Sequence, residues 1–132
     1  MAKTLRNRSR CKHRRHNRTK LQPFNQVNVT DTNLKPFWEA QAEWSQATFG
    51  LDSERGPIGP LKHLEKEAGE AQKDPKDLME YVDCLFLVCD ATRRAGFTVE
   101  DLMVAAWGKL VINKARKWQK PTNPNEAVEH VR

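Results

Sequence analysis

The stretch Leu64-Glu65-Lys66-Glu67-Ala68-Gly69-Glu70, a break at Lys73-Asp74-Pro75, and then Glu80-Tyr81-Val82-Asp83 decides how the chain folds. On an α-helix, residues three apart lie about 60° from each other around the axis, with Cβ atoms ~5–6 Å apart. Glu67 and Glu70 therefore share one helical face, and Glu80 and Asp83 share another. If the two helices pack antiparallel across the short break, four carboxylates converge. Like charges that close repel unless a cation sits between them or they take up protons. Hard divalent cations such as Mg²⁺ prefer oxygen ligands and work with a few carboxylates, water and substrate phosphates. A single Glu-x-x-Glu is ordinarily a solvated acidic face. Two such pairs on consecutive helices make a candidate metal site, the more so because Asp83 sits in an apolar run with Leu78, Val82, Leu85 and Phe86, where an unpaired carboxylate is costly.

Upstream, Asn33 is an N-cap and Gly50 a left-handed C′ residue, which predicts a first helix between them. Phe37, Ala40, Gln41, Trp44 and Thr48 recur with the spacing of one face, and Trp38 and Phe49 lie off it. So many rings suit a core, a dimer interface or a base-stacking wall, core being the simplest. Gln41 on that stripe needs a polar partner, of which a nucleobase edge is one. Gly56, Pro57, Gly59 and Pro60 make 50–60 a loop, after which a second helix runs from Leu61 to Lys73. Asp74-Pro75-Lys76-Asp77 supplies an N-cap, a proline at N1 and an acid at N3 for a third helix, Pro75 to Ala95, that stops at Gly96. Its core residues are Leu78, Val82, Leu85, Phe86 and Cys89, with Asp83, Leu87 and Asp90 on the carboxylate side.

Thr98-Val99-Glu100-Asp101 has the form of a capping box, with Asp in the usual place of Glu or Gln. The fourth helix it opens is expected to reach Trp118, with Pro121 and Pro124 beyond. Lys109, Asn113, Arg116 and Lys117 share a face of that helix. Alone they would be an ordinary basic surface; beside an acidic cluster they suit phosphates.

The charge is unevenly spread. Residues 1–20 carry nine Lys and Arg and no acid, so with the whole chain at +6 the remainder is −3. That composition, without hydrophobic periodicity, predicts a disordered basic arm over 1–31, ahead of a helical domain over 32–120 and a tail over 121–132. The arm could touch nucleic acid non-specifically through residues 3–20, or simply solubilise the chain. Cys11, Cys84 and Cys89 imply no disulfide framework. Cys84 and Cys89, about 140° apart on one helix, read as small buried residues. No stretch approaches the ~20 apolar residues of a membrane span, and a cytoplasmic location is expected.

Glu-x-x-Glu followed by Glu-x-x-Asp on successive helices resembles the MazG-like all-α nucleoside triphosphate pyrophosphohydrolases. The segment from Lys109 to Trp118 is similar to the last-helix segment of the related dCTP-cleaving enzymes, which contacts the nucleotide. The segments from Phe37 to Gly50 and His63-Leu64 look like the phage dATP/dGTP diphosphohydrolase domain, whose MazZ-like members serve phages that replace adenine by 2-aminoadenine. The resemblance covers about residues 35–120. It departs from MazG at Lys66, where MazG has a second glutamate, and in the shorter gap between Glu70 and Glu80.

The resemblance implies an all-α bundle of four main helices completed as a homodimer or dimer of dimers. It implies Mg²⁺ or Mn²⁺ on Glu67, Glu70, Glu80 and Asp83 as metal-binding and catalytic residues, activating water and polarising the α-phosphate. Lys109, Asn113, Arg116 and Lys117 would hold phosphates or sugar. A purine needs a wide aromatic slot and a polar edge, for which Trp38, Trp44, Phe49 and Phe86, with Gln41 or Ser45, are the candidates. The implied substrate is a purine deoxynucleoside triphosphate: dGTP first, with dATP and GTP as further candidates. Gln41 and Ser45 both donate and accept, so neither separates guanine from adenine at the level of sequence. The alternative from another class is a non-catalytic helical protein that binds nucleic acid through its basic arm.

Overall fold

Four helices, α1 (Leu34–Phe49), α2 (Ile58–Lys73), α3 (Leu78–Arg94) and α4 (Val99–Ala115), make up the computed structural model, which describes residues 33–131. The expectations for the arm fall outside the described residues. Among those residues there is no strand beyond a single antiparallel bridge, Trp118 to His130. The fold is all-α, as expected, and no described helix is long and apolar enough to cross a membrane.

Local chemistry explains most helix ends. The Asn33 side chain accepts from the Lys35 N–H at 3.2 Å and opens α1. Gly50 ends it with φ of 101°, a conformation that L side chains rarely adopt. The capping box on α4 is complete, Thr98 accepting from the Asp101 N–H at 3.1 Å and Asp101 from the Thr98 N–H at 2.9 Å.

Three boundaries differ from expectation. α2 starts at Ile58, so Pro60 lies in its first turn, where a missing N–H breaks no helical bond. α3 starts at Leu78 with Asp77 as its cap, accepting from the Met79 N–H at 2.9 Å. Asp74 instead closes α2 by donating its N–H to the Glu70 carbonyl at 3.1 Å. α4 ends at Ala115, because Arg116 turns extended at ψ 153°. The chain beyond it folds back, with the Val131 N–H donating to the Lys117 carbonyl at 3.0 Å and Trp118 Nε1 to the Asn113 carbonyl at 2.8 Å.

α2 lies along α3 as the most extensive pairing, α1 crosses α3, and α4 touches α1 more lightly. Glu70 meets Glu80 at one end of the α2–α3 pair, while Leu61 and Ala95 line one groove at the other, so the two helices run antiparallel. The core is small: Trp38, Cys89 and Val99, with Leu34, Phe37 and Leu102 packed on it. The buried stripe of α1 is Trp38, Gln41 and Ser45, rotated from the expected one, so Ala40 and Thr48 are exposed. On α3, Leu78 is 72% exposed and Leu85 is 42% exposed, against the expectation of core positions for both, and Cys84 is only half-buried.

Candidate active site

The antiparallel α2–α3 pair brings Glu67, Glu70 and Glu80 together, each with a carboxylate oxygen within 4.8 Å of the others. The four-residue connection forces this, because a short link returns α3 directly alongside the last turns of α2. Burial raises the Glu80 pKa, and the charges of Glu70, Asp77, Asp83 and Glu67 add to that rise. Carboxylates that disfavour one another's ionisation fit a divalent cation, which the cluster could hold through oxygen alone. Asp83 is not in the three-carboxylate group and is exposed. Its apolar neighbours in sequence therefore do not bury it. His63, one turn before Glu67, places Nε2 at 2.7 Å from Glu67 Oε1.

The cluster opens onto a cavity of about 150 Å³ that Glu67 and Asp83 share with Trp44, Phe49, Phe86 and Gln41. Trp44 stands edge-on to Phe49 and to Phe86, with ring centroids 5.4 Å and 5.9 Å apart. A second, larger hollow of about 430 Å³ shares Phe49, His63, Leu87 and Asp90 with the first and adds Arg55 and Arg94. Of the six base-binding candidates, Trp44, Gln41, Ser45, Phe49 and Phe86 line the smaller cavity, whereas Trp38 is core. Trp38 was expected off the stripe, but the rotation of α1 turns it inward.

Behind the cavity lies a buried polar network in which Asp52, Arg93 and Arg94, not singled out in the sequence, join Gln41, Ser45 and Asp90. Asp90 accepts from Ser45 Oγ, from Arg93 Nη2 and, at 2.9 Å, from Arg94 Nε. Arg93 also donates through Nε to Asp52 at 2.8 Å and through Nη1 to Gln41 Oε1 at 2.8 Å. Arg94 Nη2 donates to Ser45 Oγ at 3.1 Å and Nη1 to the Gly50 carbonyl at 3.2 Å. Burial acts to raise the Asp90 pKa, but the bonds from Ser45, Arg94 and Arg93 outweigh it and hold the carboxyl below its ordinary value. The signal available in the sequence was the i, i+3, i+4 spacing of Asp90, Arg93 and Arg94 on one helix. The network also answers the question of Gln41's partner, which is Arg93.

The four phosphate-binding candidates do not line either cavity. Because α4 stops at Ala115, Lys109 and Asn113 lie on the helix while Arg116 and Lys117 lie past its end. The expected single basic stripe is therefore broken.

A family model described as dATP/dGTP pyrophosphohydrolase matches residues 37–132. The Eaa protein of Salmonella phage P22 is 52% identical over 80 residues, which are 61% of this chain. The match spans only 24% of that protein, about a quarter of its length. The dATP/dGTP diphosphohydrolase of cyanophage S-2L is 34% identical over 95 residues, covering 70% of this chain and 86% of that one. Among solved structures, the cyanophage S-2L MazG-like pyrophosphohydrolase bound to dGDP and three catalytic Mn²⁺ ions per active site matches with a TM-score of 0.60 at 28% identity. That likeness covers 76% of this chain and 98% of the other. With an all-α fold of the same kind and a match running from the first helix to the last residue, the chain belongs to the dATP/dGTP pyrophosphohydrolase family.

Proposed function

We propose that the chain is a divalent-metal-dependent nucleotide pyrophosphohydrolase that cleaves purine deoxynucleoside triphosphates, dGTP foremost, to the monophosphate and pyrophosphate. The observation that carries this reading is a junction: Glu67 belongs both to the three-carboxylate cluster and to the wall of the aromatic cavity. A nucleotide lying across it has its base against Trp44, Phe49 and Phe86 and its phosphates toward the acids. Glu67, Glu70 and Glu80 would hold Mg²⁺ or Mn²⁺, with Asp83 beside them. Bound there, the metal would supply charge neutralisation at the phosphates and an acidified water. Water attacks the α-phosphorus, the bond to the bridging oxygen breaks, and pyrophosphate leaves with that oxygen. The aromatic wall fixes the base and so the distance of the α-phosphate from the carboxylates, which is a large part of what a site can contribute.

The partner in this reading is a second copy of the chain. α4 exposes Val104 at 74%, Trp107 at 66% and Val111 at 67%, and large apolar side chains so exposed on one helix call for cover. A homodimer or dimer of dimers gives that cover and offers Lys109, Asn113, Arg116 and Lys117 a route to a neighbouring site's phosphates. A role in 2-aminoadenine DNA synthesis, which the resemblance implies, requires dGMP as product and so depends on dGTP as substrate.

The deciding experiment incubates the protein with each of the eight common nucleoside triphosphates and Mg²⁺ or Mn²⁺, scoring monophosphate and pyrophosphate. Metal-dependent release of dGMP and pyrophosphate supports the proposal. A diphosphate with orthophosphate would refute the reaction, and a preference for dCTP or dUTP would refute the purine.

A further inference from the structure

Ser45 and Gln41 are the two polar side chains of the aromatic cavity on α1, and the structure separates them. Ser45 is fully buried, and its hydroxyl is used twice, donating to Asp90 and accepting from Arg94. Gln41 is 4% exposed and has a different status. Its Oε1 accepts from Arg93 Nη1 at 2.8 Å. A guanidinium has donors and no acceptor, so this contact admits only one orientation of the amide, with oxygen toward Arg93 and nitrogen away. Arg93 itself cannot swing aside, since Nε is held by Asp52 at 2.8 Å and Nη2 by Asp90. The Gln41 nitrogen then has two hydrogens and, among the described residues, one protein partner, the Phe86 carbonyl, at a long 3.4 Å. Gln41 lines the aromatic cavity, and that is where its second hydrogen can be offered to a ligand.

We propose that Arg93 is a specificity-positioning residue: it locks Gln41 as a hydrogen-bond donor, so that the cavity takes a purine with an oxo group at C6 and rejects one with an amino group there. Family membership leaves this open, because the family's name covers both purines. The inference rests on the nucleotide reading given above. A donor meets an acceptor at O6 of guanine, but it meets a second donor at N6 of adenine, which leaves two buried polar groups unpaired. N7 is an acceptor in both bases and does not discriminate, whereas N1 changes together with the 6-substituent, carrying a hydrogen in 6-oxo purines and a lone pair in 6-amino ones, so the choice lies on that edge. The amino group at C2 of guanine plays no part in this contact.

The test uses the full chain with Mn²⁺ and four triphosphates, dGTP, dITP, dATP and 2-amino-dATP, which vary the 6- and 2-positions independently. The expected result is efficient turnover of the two 6-oxo compounds, with kcat/KM for the two 6-amino compounds lower by roughly 100-fold or more. Gln41→Glu keeps the shape and the acceptor for Arg93 while removing both donors. In that variant the 6-oxo preference should fall at least about tenfold, with the fold intact by circular dichroism. Arg93→Met, which frees the amide to turn over, should lower the same ratio; loss of folding in that variant leaves Gln41→Glu to decide. Equal cleavage of dGTP and dATP, or a preference that follows the 2-amino group, overturns the inference and leaves the proposed reaction standing. Absence of cleavage with all four, together with no binding of dGDP by calorimetry, overturns both.

Discussion

His63 Nε2 lies 2.7 Å from Glu67 Oε1, one helical turn earlier on α2, and the Glu67 side chain is only 16% exposed while that of His63 is 59% exposed. The imidazole thus orients a largely covered carboxylate that also belongs to the acidic cluster. Partners that orient a metal-binding carboxylate are typically worth ~10–100-fold in affinity or activity. His63→Ala is therefore expected to weaken Mn²⁺ binding by about tenfold with little change in thermal stability. Calorimetric titration of Mn²⁺ into both proteins measures this, and equal affinities would show that the contact is incidental.

The fold opposes the charge of Glu80, through burial and then through Glu70, Asp77, Asp83 and Glu67. Its folded pKa lies above the unfolded one, so its ionised form subtracts from stability at neutral pH, and the penalty is relieved as pH falls through the raised value. Glu80→Gln should consequently raise the melting temperature of the metal-free protein while abolishing the further rise on adding Mn²⁺. Turnover should drop by more than the ~10–100-fold of an outer-shell change. Normal turnover in this variant would remove Glu80 from the metal site.

Asp90 has the opposite sign. Its carboxyl is held below the ordinary value despite burial, because Ser45, Arg94 and Arg93 all donate to it. The stability it contributes is present above the unfolded carboxylate pKa of about 3.9 and is lost as pH falls below that, through the folded value. Asp90→Asn leaves Arg93 and Arg94 short of a counter-charge and should cost about 3–5 kcal/mol at neutral pH. Denaturant unfolding at neutral pH and at pH 3 distinguishes the proteins: the gap between them should narrow on acidification. A gap independent of pH would mean that the Asp90 charge is not what holds the network.

On α4, Val104 is 74% exposed and Trp107 is 66% exposed within one chain. A surface substitution on a monomer usually changes stability by no more than about 0.5 kcal/mol. If a second copy covers this face, Val104→Glu instead buries a charge at an interface and should convert the protein to a monomer, as light scattering would show. A wild-type chain that is monomeric at micromolar concentration would contradict the proposal.

The acidic cluster was legible because helical periodicity is local: residues three apart on one helix share a face whatever else the chain does, and a four-residue link leaves its neighbour few ways to return. The same locality made the capping box at Thr98 and the stop at Gly50 readable. It failed where two local signals competed. Asp74 and Asp77 are both plausible caps before α3, and closure of α2 onto Asp74 settled the choice. The basic stripe was misplaced because Arg116 continues a helical pattern in sequence while the backbone there has turned extended to fold 117–131 back.

Sequence by itself determined that the chain is helical and that the pairs Glu67 with Glu70 and Glu80 with Asp83 each share a helix face that a short connection could bring together, since that rests on spacing along one helix and across one link; the structure brings three of the four into one group. Only the tertiary structure decided which face of α1 turns inward, and hence that Trp38 is core while Trp44 and Phe49 line the cavity. It also decided the orientation of Gln41. An amide has both a donor and an acceptor end, and which one it offers is set by a neighbour fifty-two residues away, Arg93, whose own position depends on Asp52 and Asp90. No periodicity records a contact of that kind, because it exists only when three segments distant in the chain are packed together.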